Sequence, residues 1–450
     1  MDQDRNLVVS QDLETELKWK AGTISDQPAK FQMHGRSNRK LSRAEFTVLA
    51  ASRHDAREEV GAEERQPEKR QTLMNQAKRS AKTLKATRPL RVGFLPENDC
   101  APLAIAHELG LFEEYGLTVE LSREPTCANV RDRIINRQLD AAHAPATLPF
   151  VLSLGLDFEQ CACVSGLVLS LQGNAITVSQ KLWQEGVCDA ATLRDRIFQD
   201  WGRRTFTFGV VFPYTSQYFL LGQWLRSAGI MPHAHVRIVV IPSEQLFPTL
   251  ELGYLDGYCV GEPWTSVAVE AGAGVCLATS VQLSPLHPEK ALLVRQDFAA
   301  ERADDHERLI AALREACAFC DRPENREFLC EVLSEPRYVN APVECIKAGL
   351  IGPVPSPDRH IQNLFGLNVF SHHHTNDPSE SKATWITNHL SDYLKPGADK
   401  FNRLRPLNHI FRRDYFNRSD RFDRKSSAPI KTKTATPEPR PLAQPACAQA

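Results

Sequence analysis

Residues 91–122, RVGFLPENDCAPLAIAHELGLFEEYGLTVELS, carry the pattern on which the fold rests. RVGFLP (91–96) is a short apolar run of strand type. In APLAIAHELGLFEEYG (101–116) the apolar residues recur at helical spacing, with Pro102 near the start and Gly116 at the end. LTVELS (117–122) returns to strand. Strand, helix and strand in close succession form the repeating unit of an α/β fold.

The alternation continues outward. ANVRDRIINRQL (128–139) reads as helix, and DAAHAPATLPFVLSLGL (140–156) as strand and then helix. Strand-like runs recur at 165–179, 205–213, 236–242 and 257–263, separated by helical patterns at 216–230 and 243–255. A short helix at 264–272, a strand and helix over 291–301, and a long helical region over 303–335 complete the body. The pattern predicts an α/β architecture with largely parallel strands. A body of about 310 residues exceeds one ordinary core and predicts two lobes. The expected division is lobe 1 over 89–178, lobe 2 over 179–295, and a return to lobe 1 with a C-terminal helical region over 296–400. Residues 1–88 are rich in charged and polar side chains, including the basic stretch 66–85, and are expected to be disordered. So is most of the Pro/Thr/Lys/Ala-rich tail, 401–450.

The 450 residues carry a formal charge of −1, which gives no basic field for direct nucleic-acid binding. No stretch approaches the ~18–20 apolar residues of a membrane span. The first twenty residues lack a basic start, an apolar core and a small-residue cleavage site, so a cytoplasmic location is expected. Twelve scattered cysteines read as buried thiols in a reducing compartment. Cys161 and Cys163 fall in strand-like sequence, where neighbours point to opposite faces, and Cys317/Cys320 lack a matching second pair. His372-His373-His374 reads as a solvated loop. No metal and no cofactor are expected.

Three segments carry possible binding chemistry. In ENDCAPLAIAHELGLF (97–112), backbone N–H groups at a helix start suit a small anion, or the segment is an ordinary βα turn. In QGNAITVS (172–179), Asn174 either donates to a ligand or shapes a turn. CVGEPW (259–264) and HPEKAL (287–292) each bring a strand to a proline and a charged residue. Lys290 could pair with an anion, and Glu262 could salt-bridge Lys290 or serve a cation; a plain turn and a surface lysine are the alternatives. No nucleophile elbow, phosphate loop, dinucleotide fingerprint or H-E-x-x-H motif occurs, so no enzyme is expected.

The ordered set RVGFLPENDCAPLAIAHELGLFEEYGLTVELSREP, ANVRDRI, LDAAHAPATLP, GNAITVS, FGVVFP, WLRSAGI, LDGYCVGEPW, HPEKALLVRQDF and CDRPENREFLCEVLSEPRYV resembles the nitrate/bicarbonate-binding protein family, the NrtA/CmpA-like proteins. Within it the chain looks most like the cytoplasmic nitrate/nitrite sensors of the NasS type. The resemblance covers 91–352, and more weakly runs to about 394. It implies a two-lobed clamshell of the type II periplasmic-binding-protein kind, closing on a small planar oxyanion such as nitrate or nitrite. Carried over by motif, the ligand contacts fall on Gly261 and Lys290, and on Asn174 where the family has Gln. They fall also on Cys127 where it has Trp, and on Gln217 where it often has His. These departures remove an aromatic wall and a cationic donor, while Asn174 and Gln217 remain neutral donors. The implied function is a nitrate/nitrite sensor that controls an ANTAR-domain antiterminator protein. The alternative is the solute-binding subunit of an ABC-type nitrate, bicarbonate or sulfonate importer. A thiamin-precursor synthase-like enzyme would need a cofactor-attaching lysine or a Cys/His-rich site, and neither is evident.

Overall fold

The opening segment folds as its pattern predicts. Strand β1 (Leu90–Phe94) leads through a 3-10 turn, Asn98–Cys100, into the helix Ala101–Glu108, which has Pro102 in its first turn. Strand β2 (Val119–Arg123) then pairs with β1 in parallel. The computed structural model describes residues 88–352, 367–393, 407 and 409–423. The stretches expected to be disordered, 1–88 and most of 401–450, fall largely outside them, although Arg413–Ser419 within the second form a helix.

The remaining strands are β3 (Ala141–Pro145), β4 (Cys163–Val164), β5 (Val168–Gln172), β6 (Asn174–Ser179), β7 (Phe206–Val210), β8 (Val236–Val240), β9 (Gly257–Gly261), β10 (Gly274–Thr279), β11 (Pro288–Arg295) and β12 (Asn368–Val369). They form two sheets. The seven-stranded one has the order β12-β5-β11-β3-β1-β2, with β4 also on β11; the five-stranded one has the order β10-β6-β9-β7-β8. Alternation along the strands builds a core on each face of the second sheet. In β9, Cys259 joins Ile176, Phe206 and Leu221 on one side, while Tyr258 and Val260 join the larger core that continues into the first sheet.

Two expectations change here. Parallel pairing is confined to β1–β2, β1–β3, β7–β8 and β7–β9, and the other pairings are antiparallel. The sheets are therefore mixed rather than largely parallel. The reason is the crossing between lobes. β5 and β6 are separated by Gly173 alone yet belong to different sheets, and both pair antiparallel with their neighbours. Gly173 has φ 100°, and a side chain there would overlap Asn368, so only glycine suits this crossing. The first change of sheet thus falls at Gly173, before the boundary expected at 178, and the return falls before β11, ahead of the one expected at 295.

The cysteine pair also departs from expectation. Cys161 precedes β4 rather than continuing it, and its Sγ lies 3.8 Å from that of Cys163 instead of on the opposite face. His372–His374 form an exposed 3-10 turn. No helix among the described residues is long and apolar enough to cross a membrane.

Candidate functional site

Lys290 lies at the meeting of the two sheets and is fully buried. Burial of a lone ammonium is costly unless it is paired and hydrogen-bonded. Here its Nζ donates to Glu97 Oε2 at 2.8 Å, Asp99 Oδ2 at 2.7 Å and Glu289 Oε1 at 2.9 Å. An ammonium has three N–H donors, and these contacts use them all.

The first sheet supplies these charges. Glu97 and Asp99 come from the turn after β1, just ahead of the helix Ala101–Glu108. Neither the Asn98–Cys100 turn nor the helix after it is capped by a side chain, and both carboxylates turn to Lys290. Glu289 and Lys290 are adjacent in β11, and regular alternation would point them to opposite faces. The register of β11 against β5 shifts on both sides of Lys290, and such an irregularity re-aims a side chain. Behind Asp99, His143 of β3 has Nε2 3.0 Å from Oδ1, and its Nδ1 accepts from the Leu95 amide at 3.4 Å.

The second sheet supplies neutral donors. Asn174, the first residue of β6, donates from Nδ2 to Glu289 Oε2 at 2.5 Å. The helix Ser216–Ser227 begins with Thr215 as its cap, so Ser216 and Gln217 stand at its first turn. Ser216 Oγ donates to Glu289 Oε2 at 2.5 Å, and Gln217 Nε2 to Glu289 Oε1 at 3.1 Å. His287 has Nε2 3.1 Å from Glu289 Oε2 and Nδ1 2.8 Å from the Ser284 carbonyl. Cys127 opens the helix Cys127–Ile135 and is buried, and burial with the nearby Glu97 charge pushes its thiol up.

The protonation states separate the three carboxyls. Burial, reinforced by Asp99, pushes Glu97 up to about 7, although Lys290 pulls the other way. Burial would also raise Glu289, but Lys290, His287 and Ser216 outweigh it and hold it at about 2. Asp99 is likewise held low, because Lys290 and His143 outweigh burial. Burial would lower Lys290, yet its carboxylate partners keep it well above the usual lysine range.

Gly261 ends β9 opposite Asn174 in the β6–β9 ladder. A Cβ there would come 2.7 Å from Glu97 Oε2 and 3.6 Å from Asn174 Oδ1. Close approach to the backbone occurs at this glycine, and the group that approaches is Glu97. The following turn is stitched to both lobes. The Asn98 amide donates to the Glu262 carbonyl at 2.7 Å, the Glu262 amide to Gly173 at 3.0 Å, and Trp264 Nε1 to the Pro96 carbonyl at 3.0 Å. Glu262 itself does not reach Lys290, contrary to the salt bridge expected of it. Its Oε2 accepts from the Ser266 amide at 3.2 Å, and burial pushes its carboxyl up to about 7.

Asn174, Gln217, Gly261, Lys290 and Cys127 are thus brought together, and Glu262 stands aside. Sequence reasoning passed over Glu97, Asp99, His143, Ser216, His287 and Glu289. Five of these lie within the motifs quoted above, four in ENDC and HPEK and His143 in LDAAHAPATLP, so adjacency to the motif residues was the available signal. Among the described residues, Asn98 Oδ1, Asn174 Oδ1 and Glu262 Oε1 are buried oxygens without a hydrogen-bond partner. The cluster gathers one ammonium, three carboxyls and several neutral hydrogen-bonding groups where side chains of the two sheets converge.

Comparison with known proteins places the chain. It is 35% identical to the nitrate import ATP-binding protein NrtC of Synechocystis sp. over 70% of this chain and 48% of that protein, so it spans about half of that relative's length. It is 29% identical to the bicarbonate-binding protein CmpA of Synechococcus sp., over 59% of this chain and 61% of that one. The crystal structure of the periplasmic nitrate-binding protein NrtA from Synechocystis PCC 6803 superposes with a TM-score of 0.67 at 24% identity, covering 74% of this chain and 88% of that chain. This likeness establishes the two-lobed, periplasmic-binding-protein-like fold implied by the sequence. Residues 85–334 match the model of the NMT1-like family, and the chain belongs to that family.

Proposed function

We propose that the chain binds a small oxyanion between its two lobes and acts as a nitrate/nitrite-responsive sensor. The observation that carries this reading is the position of Lys290, a fully buried cation where side chains of both sheets converge. Neutral donors from lobe 2, Asn174, Ser216 and Gln217, meet it there through Glu289. Lobe closure on such a site links binding to the outer surface through differential affinity for open and closed states. The names of the relatives, a nitrate import protein and a bicarbonate-binding protein, support an oxyanion as the ligand class.

In this reading the protein works in the cytoplasm and holds an ANTAR-domain antiterminator protein, releasing it when ligand binds. Eleven described cysteines are free thiols, most of them buried, which suits a reducing compartment. The partner rests on the sequence resemblance to the NasS-type sensors. The importer-subunit alternative is supported by the transport relatives.

Calorimetric titration with nitrate, nitrite and hydrogen carbonate tests the ligand class, and silence for all three sinks the oxyanion reading. Gly261→Val is expected to block the site while the protein stays folded, because even a Cβ meets the Glu97 carboxylate. Fractionation of tagged protein separates the two roles: recovery from the cell envelope sinks the sensor, and recovery from the cytoplasm sinks the importer subunit.

A further inference from the structure

Two features set Glu97 apart from the other carboxylates of the cluster, its approach to Gly261 and its lack of further side-chain support. Its Oε2 receives one of the three Lys290 donors and lies where a Cβ on Gly261 would come within 2.7 Å. It thus stands against both the lysine and the close-approach glycine, the two contacts that an incoming anion would use. Asp99 and Glu289 each have further support. Asp99 has His143 beside it, and Glu289 accepts from Asn174, Ser216 and Gln217 and faces His287. Among the described residues, the carboxylate of Glu97 has Lys290 as its side-chain hydrogen-bond partner and no other.

Charge counting gives the second line of argument. One lysine faces three carboxylates, all of them buried. A monovalent anion added to this cluster would raise an already negative charge in a place shielded from water, where like charges repel strongly. Something must leave or be neutralised before the anion can use Lys290.

We propose that the Glu97 carboxylate is a resident competitor for the ligand position, and that an oxyanion binds with uptake of one proton by Glu97, which then releases Lys290. This rests on the oxyanion-binding reading and deepens it. The balance is simple: a proton from solvent joins the carboxylate, and one Lys290 N–H passes from Glu97 to the anion. The total charge of the cluster is unchanged by the combined step. The groups facing Glu97 fit this role. Lys290 and Glu289 come from β11, Asp99 and the Cys100 thiol from its own turn, the Cys127 thiol from the neighbouring helix and the Cys259 thiol from β9, with His143 and His287 one contact behind. Burial already brings Glu97 to about 7, whereas Glu289 stays near 2, so Glu97 is the carboxyl that yields near neutrality.

Nitrate is the suitable probe, because it carries no proton of its own near neutrality. The full chain is titrated with nitrate by calorimetry between about pH 6 and pH 8, in two buffers of different ionisation heat. The expected result is proton uptake approaching one per nitrate at the alkaline end, with affinity falling about tenfold per pH unit above about pH 7. Glu97→Gln is expected to bind nitrate more tightly than the native chain at about pH 8, with a flat pH profile and no proton uptake. A native chain that binds nitrate without proton uptake overturns the proposal and leaves the oxyanion reading standing. Binding by Glu97→Gln that is no tighter at alkaline pH also overturns it. Failure of both proteins to bind nitrate, nitrite or hydrogen carbonate at any pH overturns the oxyanion reading and this inference with it. The proton count on the native chain needs no substitution, so it decides the matter even if the variant does not fold.

Discussion

The molecule buries carboxylates in two contrasting ways. Asp321 accepts from the backbone amides of Phe370, Ser371 and His372, with contacts as short as 2.6 Å, and also from Arg326 Nη2 at 2.9 Å. One charge there meets an excess of donors, and the result ties the start of the C-terminal segment to the end of the long helix Ala303–Cys320. At Lys290 the ratio is inverted, with three carboxylates dividing one ammonium. A well-supplied buried charge is an anchor, since every partner lowers the same state. An under-supplied cluster keeps competing arrangements close in energy, and a ligand can choose among them.

The severest test of this contrast is Lys290→Met. Removing the ammonium that contacts all three buried carboxylates is expected to cost about 3–5 kcal/mol at alkaline pH and to abolish anion binding. Urea unfolding at alkaline and acid pH checks it, and the loss should shrink as the carboxyls protonate. A variant equally stable at both pH values would show that the cluster does not behave as a set of competing charges.

The next effect in size concerns pH and the native chain. Glu97 and Glu262 sit near 7 against an ordinary 4.5, so the folded state holds their protons more tightly. Their contribution is fully present below about pH 4.5 and is lost as pH rises through about 7. Glu289, held at about 2, has the opposite sign: its contribution is present above about 4.5 and is lost as pH falls toward 2. The unfolding free energy should therefore decline between about pH 5 and pH 8, and Glu97→Gln should remove a share on the order of 2–3 kcal/mol. Denaturant titrations across that range measure it.

Much of this architecture can be read in the sequence, and the limits have physical causes. Helical and strand periods are local, so the run from β1 to β2 and the alternation beyond it are legible. Sheet membership is not local: β5 and β6 look like one continuous strand region until Gly173 sends them to different sheets. In the site, Asn174, Gly261 and Lys290 stand out because each interrupts or ends a strand pattern. Glu97 does not, since its meaning comes from a lysine 193 residues away. Cys127 is legible only by resemblance, as a small apolar residue opening a helix carries no mark of the charges beside it.

At the anchor the expected effect is smaller and of a different kind. Asp321→Asn keeps one acceptor for the amides and removes the charge facing Arg326. It should cost about 2 kcal/mol in urea unfolding and leave nitrate affinity unaltered. A change in affinity would show that the two carboxylate centres are coupled across lobe 1, and the contrast between anchor and switch would not hold.

The smallest effect on binding separates Glu97 from Glu262, two buried glutamates brought to the same value of about 7. Glu262 follows the close-approach glycine directly, and from the sequence it is the natural partner of Lys290. In the fold its carboxylate turns to the Ser266 amide at 3.2 Å, and its backbone ties the first loop to Gly173 at the crossing between the sheets. Glu262→Gln should therefore remove its own share of the pH dependence of stability while changing nitrate affinity less than about twofold. It should also leave proton uptake on binding untouched. Equal titration calls for equal effects if any buried glutamate near the cleft could drive the coupling. Unequal effects follow only if contact with Lys290 decides, so paired calorimetry on the Glu97→Gln and Glu262→Gln variants tests geometry against burial as the cause.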